Sequence, residues 1–329
     1  MSADNGWLCP PQVVTVTQIK DTSREMRIDP DSFAGGYFEN AVYRHWDPYE
    51  DVPQDDLEAD RERLIADEPT AAEFDEFREF IAQFGAGEEA VTEDLAPLLI
   101  ALDDINDQMF VSSQIYEEAK HTQFFDRYWR EVVDPVAETL GHEVTVPTDQ
   151  RYFNDDYVAI FDATEEAMEQ LLTDDSPEQM ARAISHYHLT IESVVAQTGY
   201  FAFQSIFSDS GRDDVARREW PELPGLIEGI TYVRSDEGRH VGWGMQKVRS
   251  LIQDAGVEPQ VVRDTLQGLM PCVVGASATD SEISHTEPIS EFSRDKLTRR
   301  IEIITDTDAT LLTIEELTRV EGGDDAGGY

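Results

Sequence analysis

The stretch YEEAKHTQFF at residues 116–125 places a glutamate, Glu118, three positions before a histidine, His121. A second stretch, YVRSDEGRHVGWG at residues 232–244, repeats this Glu-x-x-His spacing with Glu237 and His240. Side chains three residues apart on a helix lie roughly 60° apart around its axis, so both can face one point. A carboxylate oxygen and an imidazole nitrogen presented in this way can bind one metal ion.

One Glu-x-x-His pair is weak evidence, because the chain has 69 acidic residues and 7 histidines and such a spacing arises easily by chance. A third pair, Glu282 and His285, occurs in the turn-rich stretch TDSEISHTEP, where we expect a solvated loop. The first two pairs differ from it because each lies on a long helical pattern beside apolar or aromatic residues. The pattern therefore favours a metal site at the first two pairs only.

Two further helical segments each supply one glutamate. Glu88 lies in GEEAVTEDL, one helix before the first pair, and Glu192 lies in HYHLTIESVVAQTGYF, one helix before the second. An unpaired carboxylate in so apolar a segment as the latter is costly to bury, and a bound cation removes that cost. One glutamate from each of two helices plus Glu-x-x-His from each of two others is the dinuclear carboxylate pattern of ferritin-like bundles. Oxygen and imidazole ligands suit iron and manganese, and the lack of thiolates argues against zinc or copper.

Apolar residues at spacings of three and four predict long helices over most of the chain. We expect one all-α, ferritin-like bundle at residues 71–256, preceded by an N-terminal extension at 1–70 with a strand-like segment at 13–19. Gly85 and Gly87 predict a break in the first long helix, Pro135 predicts the end of the helix that begins near Asp104, and Ser176 predicts the start of a helix that continues to Phe207. Residues 208–220 read as a charged insertion. Residues 257–329 are expected to be less regular, with a helix at 293–304 and an acidic tail.

The chain of 329 residues carries a formal net charge of −44 and contains only four lysines. Such a charge disfavours binding to nucleic acid and to anionic lipid surfaces, since both are polyanions. Hydrophobic residues make up 40% of the chain, which is enough to build a core, so the acid is expected on a solvated surface adapted to a salt-rich cytoplasm. We see no signal peptide and no segment long enough to span a bilayer, so a cytoplasmic protein is expected.

The segments at 87–98, 116–125, 190–203 and 232–244 together resemble the ribonucleotide reductase small-subunit superfamily, and most closely its ligand-binding oxidase branch. The resemblance covers roughly residues 40–250. It implies a homodimer that activates O2 for C–H oxidation, a mixed manganese–iron pair (with an iron pair as the alternative), and a bound long-chain fatty acid that reaches the metals. An electron donor is also implied, which the sequence does not identify. The implied metal ligands are Glu88, Glu118, His121, Glu192, Glu237 and His240.

The same resemblance assigns four more residues. In the oxidase branch a valine three residues after the first glutamate and a tyrosine five residues before the third are joined by an ether crosslink, and Val91 and Tyr187 occupy these positions. On an ideal helix Tyr187 would point away from Glu192, so contact requires a local distortion such as a π-bulge. Asp236 resembles the carboxylate that orients His121, and Trp46 resembles the tryptophan that completes a route for electrons.

Three alternatives remain at this level. A ribonucleotide reductase small subunit generally begins its ligand set with aspartate and carries a radical tyrosine four residues after the first histidine, whereas this chain has Glu88 and Phe125. A ferritin-like iron-binding protein would give Val91, Phe125 and Tyr187 no particular role. A non-catalytic helical protein would bind no metal. The interval from Glu88 to Glu118, about three residues shorter than in the family, and the insertion at 208–220 are the two departures from the oxidase pattern.

Overall fold

A computed structural model describes residues 28–305, except for 210, 213 and 277–280. The described part of the chain is helical apart from its connections, and the all-α, ferritin-like bundle expected from the sequence is confirmed. The predicted strand-like segment at 13–19 and the acidic tail lie outside the described residues. The helices are α1 (Phe33–Tyr43), α2 (Gln54–Asp67), α3 (Ala71–Ala101), α4 (Ile105–Tyr128), α5 (Asp134–Leu140), α6 (Asp155–Gln170), α7 (Pro177–His186), α8 (Gln197–Phe207), α9 (Pro224–Gln253), α10 (Pro259–Ala276) and α11 (Thr286–Thr305).

Helix α3 runs unbroken through Gly85 and Gly87, so the predicted break there is wrong. The helix begins with a capping box in which Thr70 and Glu73 satisfy each other's backbone N–H groups. Each glycine instead permits a close helix contact. A Cβ at Gly85 would lie 3.2 Å from Phe125 Cβ, and one at Gly87 would lie 3.1 Å from the Tyr157 hydroxyl.

The helical path of α4 also continues past its predicted end. A π-helical turn at Trp129–Val133 joins α4 to α5, which includes Pro135 near its start. A proline is tolerated in the first turn of a helix, where its missing N–H is not needed. The prediction that the helix ends before Pro135 is therefore wrong by about two turns.

The predicted helix from Ser176 to Phe207 is present, with a widened middle. Ser176 caps α7 through its hydroxyl, which accepts from the Gln179 N–H at 3.3 Å. A π-helical segment at Tyr187–Ala196 then connects α7 to α8. The local distortion that Tyr187 was expected to require is thus observed, and it extends over the ten residues that include Glu192.

The region after residue 256 is more regular than the sequence suggested. Helix α10 was not predicted, and α11 begins seven residues before the predicted start at 293. Helix α10 packs against α6, α7 and α11. Residues 208–223 connect α8 to α9 and are tied to the α10–α11 connection, where the Arg217 N–H donates to the Ile283 carbonyl at 3.0 Å. The expected domain limits at 70 and 256 fall in connections between helices.

Two apolar clusters fill the bundle, one on each side of its middle. On α3, for example, buried apolar residues between 74 and 82 belong to one cluster and those between 91 and 98 to the other. The same division occurs on α4, where Phe110 and Phe124 belong to different clusters, and on α9, where Val233 and Val241 do. The polar positions between these segments therefore meet at the centre of the bundle. None of the described helices is long and apolar enough to cross a membrane.

Asp60 on α2 holds the start of α9 in place. Its carboxylate accepts from the Gly225 N–H at 3.1 Å, from the Leu226 N–H at 2.8 Å and from the Tyr128 hydroxyl at 3.0 Å. Burial raises the pKa of this carboxyl to about 7 despite these donors. Asp60 thus acts as an N-cap supplied by another helix.

We predict that Asp60→Ala lowers the free energy of unfolding by about 2–4 kcal/mol, because it leaves buried donors without an acceptor. Urea denaturation followed by circular dichroism measures the effect. Asp60→Asn keeps an acceptor oxygen and should be less damaging, and Glu58→Ala on the exposed face of the same helix is the control. Equal stabilities for Asp60→Ala and Glu58→Ala would contradict this role.

Candidate metal centre

The structure places the six predicted metal-binding side chains in one buried cluster in the middle of the bundle. Each is at most 8% exposed. They come from four helical segments, with Glu88 on α3, Glu118 and His121 on α4, Glu192 on the π-helical segment, and Glu237 and His240 on α9.

Two groups of four potential ligand atoms overlap in this cluster, and within each group the atoms lie within 4.8 Å of one another. Glu118 and Glu237 belong to both groups. Glu88 and His121 complete the first group, and Glu192 and His240 complete the second. Two adjacent positions that share two carboxylates are the arrangement that a dinuclear metal site requires.

Both histidines present Nδ1 to the carboxylates. His121 Nδ1 lies 3.2 Å from Glu118 Oε2 and 3.3 Å from Glu88 Oε2. His240 Nδ1 lies 3.1 Å from Glu118 Oε1 and 3.3 Å from Glu192 Oε1. The Nε2 atoms point away from the cluster, so each ring can offer the Nδ1 lone pair to an ion while Nε2 keeps its proton.

A carboxylate behind each histidine orients its ring. His121 Nε2 is 3.1 Å from Asp236 Oδ2, as the resemblance implied, and His240 Nε2 is 2.8 Å from Glu117 Oε2. The buried Arg239 guanidinium donates to both Asp236 and Glu117 at 2.5 Å. The two orienting carboxylates are therefore linked to each other through one cation.

Glu117 was missed in the sequence, although a signal for it exists. Each Glu-x-x-His pair is preceded by an acidic residue, Glu117 before Glu118 and Asp236 before Glu237. Each acidic residue contacts the histidine of the other helix. Asp236 on α9 hydrogen-bonds His121 on α4, and Glu117 on α4 hydrogen-bonds His240 on α9. An acidic residue directly before each motif was therefore the pattern to look for.

Gln114 and Tyr187 complete the polar surroundings of the second group. Gln114 Nε2 donates to Glu192 Oε1 at 2.6 Å, and its Oε1 accepts from His188 Nε2 at 3.1 Å. The Tyr187 hydroxyl donates to Glu118 Oε1 at 2.9 Å. Gln114 and His188 were not predicted from the sequence, since neither has a distinctive motif.

The charges of the cluster are unbalanced in the absence of a cation. Burial and then the charge of Glu237 raise the pKa of Glu192 to about 8, and burial raises the pKa of Glu88 well above its usual value. Burial opposes ionisation of Glu118 too, but His240 and His121 hold its pKa well below the usual range. Like charges this close cannot all remain ionised without a counter-charge.

The unpaired atoms of the cluster fit divalent cations. Glu192 Oε2, Glu237 Oε2 and His240 Nδ1 are buried and make no hydrogen bond among the described residues. Buried acceptors of this kind are costly unless a cation or a donor meets them. Four carboxylates and two imidazoles form a hard donor set that suits iron and manganese. Glu282 and His285 of the third pair are exposed in the connection before α11, as expected.

Trp46 lies on the outer side of the first group. Its Nε1 donates to Asp236 Oδ2 at 2.7 Å, and its ring stacks on His121 with the centroids 6.1 Å apart. Lys120 Nζ lies 2.8 Å from the same aspartate oxygen. A continuous chain of contacts therefore leads from Trp46 through Asp236 to His121.

A cavity of about 140 Å³ reaches the cluster from the surface. Its inner end is formed by the four glutamates of the cluster, and Val91 and Tyr187 both line it. Phe84, Phe161 and Val195 give it apolar walls, whereas Glu76 and Glu79 lie at the outer end. The space far exceeds the roughly 10–15 Å³ that one water requires, so an apolar chain of several atoms fits.

Several solved structures to which this chain is similar are R2-like ligand-binding oxidases. One with an aerobically reconstituted Mn/Fe cofactor matches with a TM-score of 0.69 and 26% identity, over 84% of this chain and 93% of that chain. A mutant with an aerobically reconstituted Fe/Fe cofactor gives a TM-score of 0.69 and 26% identity, over 84% and 94% of the two chains. No family model matches the sequence. The similarity to the ligand-binding oxidase branch that the motifs indicated is confirmed.

Proposed function

We propose that this chain, whose fold resembles that of the R2-like ligand-binding oxidases, is an oxidase with a dinuclear manganese–iron centre, an iron pair being the alternative. The observation that carries the proposal is the pair of overlapping ligand groups that share Glu118 and Glu237. When bound, the reduced metal pair supplies the electrons that activate O2 for oxidation of an unactivated C–H bond. The protein supplies the ligands, a dry cavity and a path for electrons.

Each half of the centre has its own terminal ligands. Glu88 and His121 would hold one ion, Glu192 and His240 would hold the other, and Glu118 and Glu237 would be shared. Asp236 and Glu117 keep the proton of each imidazole on Nε2, which fixes the ring orientation and raises the basicity of Nδ1. Trp46 lies where an electron can enter through Asp236 and His121.

The cavity is proposed to bind a long-chain, fatty-acid-like molecule. Its apolar walls would hold the hydrocarbon chain, and its inner end would bring the polar head to the metals. The half-buried Glu76 and Glu79 also line the cavity, at its outer end, and burial raises the pKa of the Glu79 carboxyl to about 7. An anionic head group is therefore favoured only at the inner end, beside the bound cations.

Tyr187 and Val91 are proposed to become joined by an ether bond during the first reaction with O2. The bond forms between the Tyr187 oxygen and Val91 Cβ, an O–H and a C–H bond break, and two electrons and two protons are lost, with O2 as the oxidant. Tyr187 is fully buried, its hydroxyl is fixed on Glu118 at 2.9 Å, and Val91 lies one helical turn from Glu88. Both side chains line the same cavity.

The homodimer and the cytoplasmic location implied by the resemblance are also proposals. Val42, Tyr43 and Tyr116 are 56%, 79% and 55% exposed at the end of α1 and on α4. Apolar and aromatic surface of this kind is what a second copy of the chain would cover. Sedimentation at high salt concentration distinguishes a dimer from a monomer.

The test of the proposed function is a reconstitution with Mn(II), Fe(II) and O2 at high salt concentration. We expect two bound metal ions per chain, consumption of O2, and a linked pair of peptides that contain Val91 and Tyr187 and lack two hydrogen atoms. Tyr187→Phe should keep the metals and lose the linked pair.

Other outcomes of the reconstitution favour the alternatives. Metal-loaded protein that consumes O2 but leaves the peptides unlinked favours a ribonucleotide reductase small subunit, although Phe125 then stands where a radical tyrosine is expected. Many irons per chain in a shell-like assembly favour an iron-storage protein. Absence of bound metal contradicts all three functions.

A further inference from the structure

Two tryptophans flank the centre, and each is paired with an aspartate and a lysine. The first triad is Trp46, Asp236 and Lys120, described above. In the second triad Trp243 Nε1 donates to Asp107 Oδ1 at 3.0 Å, and Lys247 Nζ donates to Asp107 Oδ2. In both triads the indole N–H and the lysine ammonium meet on one buried aspartate.

The lysines make this repetition conspicuous. The chain contains only four lysines, and one of them, Lys20, lies outside the described residues. Two of the other three, Lys120 and Lys247, form ion pairs with the triad aspartates. Two of the four lysines in the chain thus lie beside the two tryptophan–aspartate pairs.

The second triad is connected to the group of Glu192 and His240, whereas Trp46 is connected to the group of Glu88 and His121. The ring of Trp243 lies 5.0 Å from that of His188, and His188 Nε2 contacts Gln114, which donates to Glu192. Gly244 makes this approach possible, because a Cβ there would lie 2.3 Å from His188 Cβ. The lysine of the second triad lies nearer the surface than the lysine of the first, since the Lys247 side chain is 18% exposed whereas that of Lys120 is 3% exposed.

We propose that Trp243 is a second electron-relay residue, which donates one electron at a time to the half of the centre bounded by Glu192 and His240. This proposal rests on the proposed function, since the oxidant is the centre after its reaction with O2. The indole loses one electron through His188 and Gln114 to the centre, which is reduced by one electron, and the Nε1 proton moves to Asp107. A one-electron reductant in solution, such as ascorbate, then restores the electron, and the proton returns to Nε1.

The arrangement of charge supports this direction of electron flow. A neutral indole radical forms only if the Nε1 proton has an acceptor, and Asp107 is in place for it. The Lys247 ammonium compensates the aspartate charge before the proton moves. Trp243 is fully buried, whereas Trp220 is 6% exposed, so oxidation by dissolved reagents alone would affect Trp220 at least as much as Trp243. Oxidation of this residue therefore reports on electron transfer within the protein.

The test uses metal-loaded protein with ring-deuterated tryptophan, mixed with O2 in the absence of reductant and frozen at successive times. We expect a tryptophan radical by electron paramagnetic resonance, with a signal that narrows on deuteration, and oxygenated products at Trp243 by mass spectrometry. In Trp46→Phe the remaining radical should be that of Trp243. Adding Trp243→Phe to this variant should remove the radical. Trp220 is the control, since it is 6% exposed but its Nε1 has no hydrogen-bond partner among the described residues.

A second variant keeps the ring in place. Asp107→Asn removes the proton acceptor but not the indole, and we expect it to lose the neutral radical as well. In protein that already carries Trp46→Phe, an unchanged radical after Trp243→Phe or after Asp107→Asn would overturn the proposal. Equal oxidation of Trp220 and Trp243 would overturn it too. If metals bind and O2 is consumed while Trp243 forms no radical and no oxygenated product, only this inference fails. If no metal binds or no O2 is consumed, the proposed function itself fails.

Discussion

Replacement of Glu118 by glutamine is expected to abolish stable metal binding at both positions of the centre. Glu118 belongs to both ligand groups, and its two oxygens face different histidines, Oε2 toward His121 and Oε1 toward His240. Glutamine has nearly the same shape but no negative charge and only one acceptor oxygen. Since the loss of an orienting partner alone costs about 10–100-fold in metal affinity, we expect a loss of at least about 100-fold here.

Metal content after dialysis and titration calorimetry with Mn(II) or Fe(II) measure this effect. The control is Glu282→Gln, which removes the same residue type from the same Glu-x-x-His spacing at an exposed site. It should retain both metals. Full metal content in Glu118→Gln, or an equal loss in Glu282→Gln, would show that the buried cluster is not the metal centre.

Glu192→Gln should behave differently from Glu118→Gln, because Glu192 belongs to the second group only. We expect one retained ion, held by Glu88 and His121, and weakened binding of the other. Two variants that each replace one glutamate by glutamine would then bind different numbers of metal ions per chain. That difference follows from geometry and not from the number of carboxylates removed.

The sequence predicted which side chains meet in the middle of the bundle better than it predicted the helices that carry them. A metal site constrains residue type and spacing together, so the two Glu-x-x-His pairs and the two single glutamates were recognisable in one chain. Helix ends are set by weaker preferences, which packing can override. Gly85 and Gly87 were read as a break, but they are the positions where α3 is approached by Phe125 and Tyr157. Helix α10 was missed in a region whose motifs carried no resemblance.

The carboxylates and other polar groups that surround the two histidines could be predicted only in part. Asp236 was found because the resemblance assigned it, and Glu117 was missed although it holds the equivalent place before the other motif. Arg239, Gln114 and His188 act through contacts between segments that are far apart in the sequence, such as the 122 positions between Glu117 and Arg239. No local pattern in a single sequence records such a contact.

Removal of the metals is expected to make the stability of the protein depend steeply on pH. In the metal-free protein the pKa of Glu192 is raised to about 8 by burial and then by the charge of Glu237, and those of Glu88 and Glu237 are also raised. The pKa of His121 is raised as well, since its carboxylate neighbours outweigh the effect of burial. The folded protein therefore holds more protons than the unfolded chain above the ordinary pKa of a glutamate.

A group whose pKa is raised on folding contributes stability that is complete below its unfolded pKa and is lost as the pH rises through its folded pKa. For Glu192 this loss begins near pH 4.5 and ends near pH 8. Between pH 6 and pH 8 this residue alone should lower the free energy of unfolding by about 2 kcal/mol. Glu118 has the opposite shift, but its contribution is lost only in acid, below the range of the measurement.

Urea denaturation of the metal-free protein at several pH values measures the slope, and the salt concentration must be high and constant because the net charge of −44 adds its own repulsion. Glu192→Gln should flatten the slope and stabilise the metal-free protein at pH 8, where burial makes ionisation of the natural residue costly. The metal-loaded protein should show little dependence over the same range, since bound cations keep the carboxylates ionised without protons. A metal-free protein whose stability rises toward pH 8 would mean that these carboxylates are already paired by groups of the protein itself, and the need for two cations at this centre would disappear.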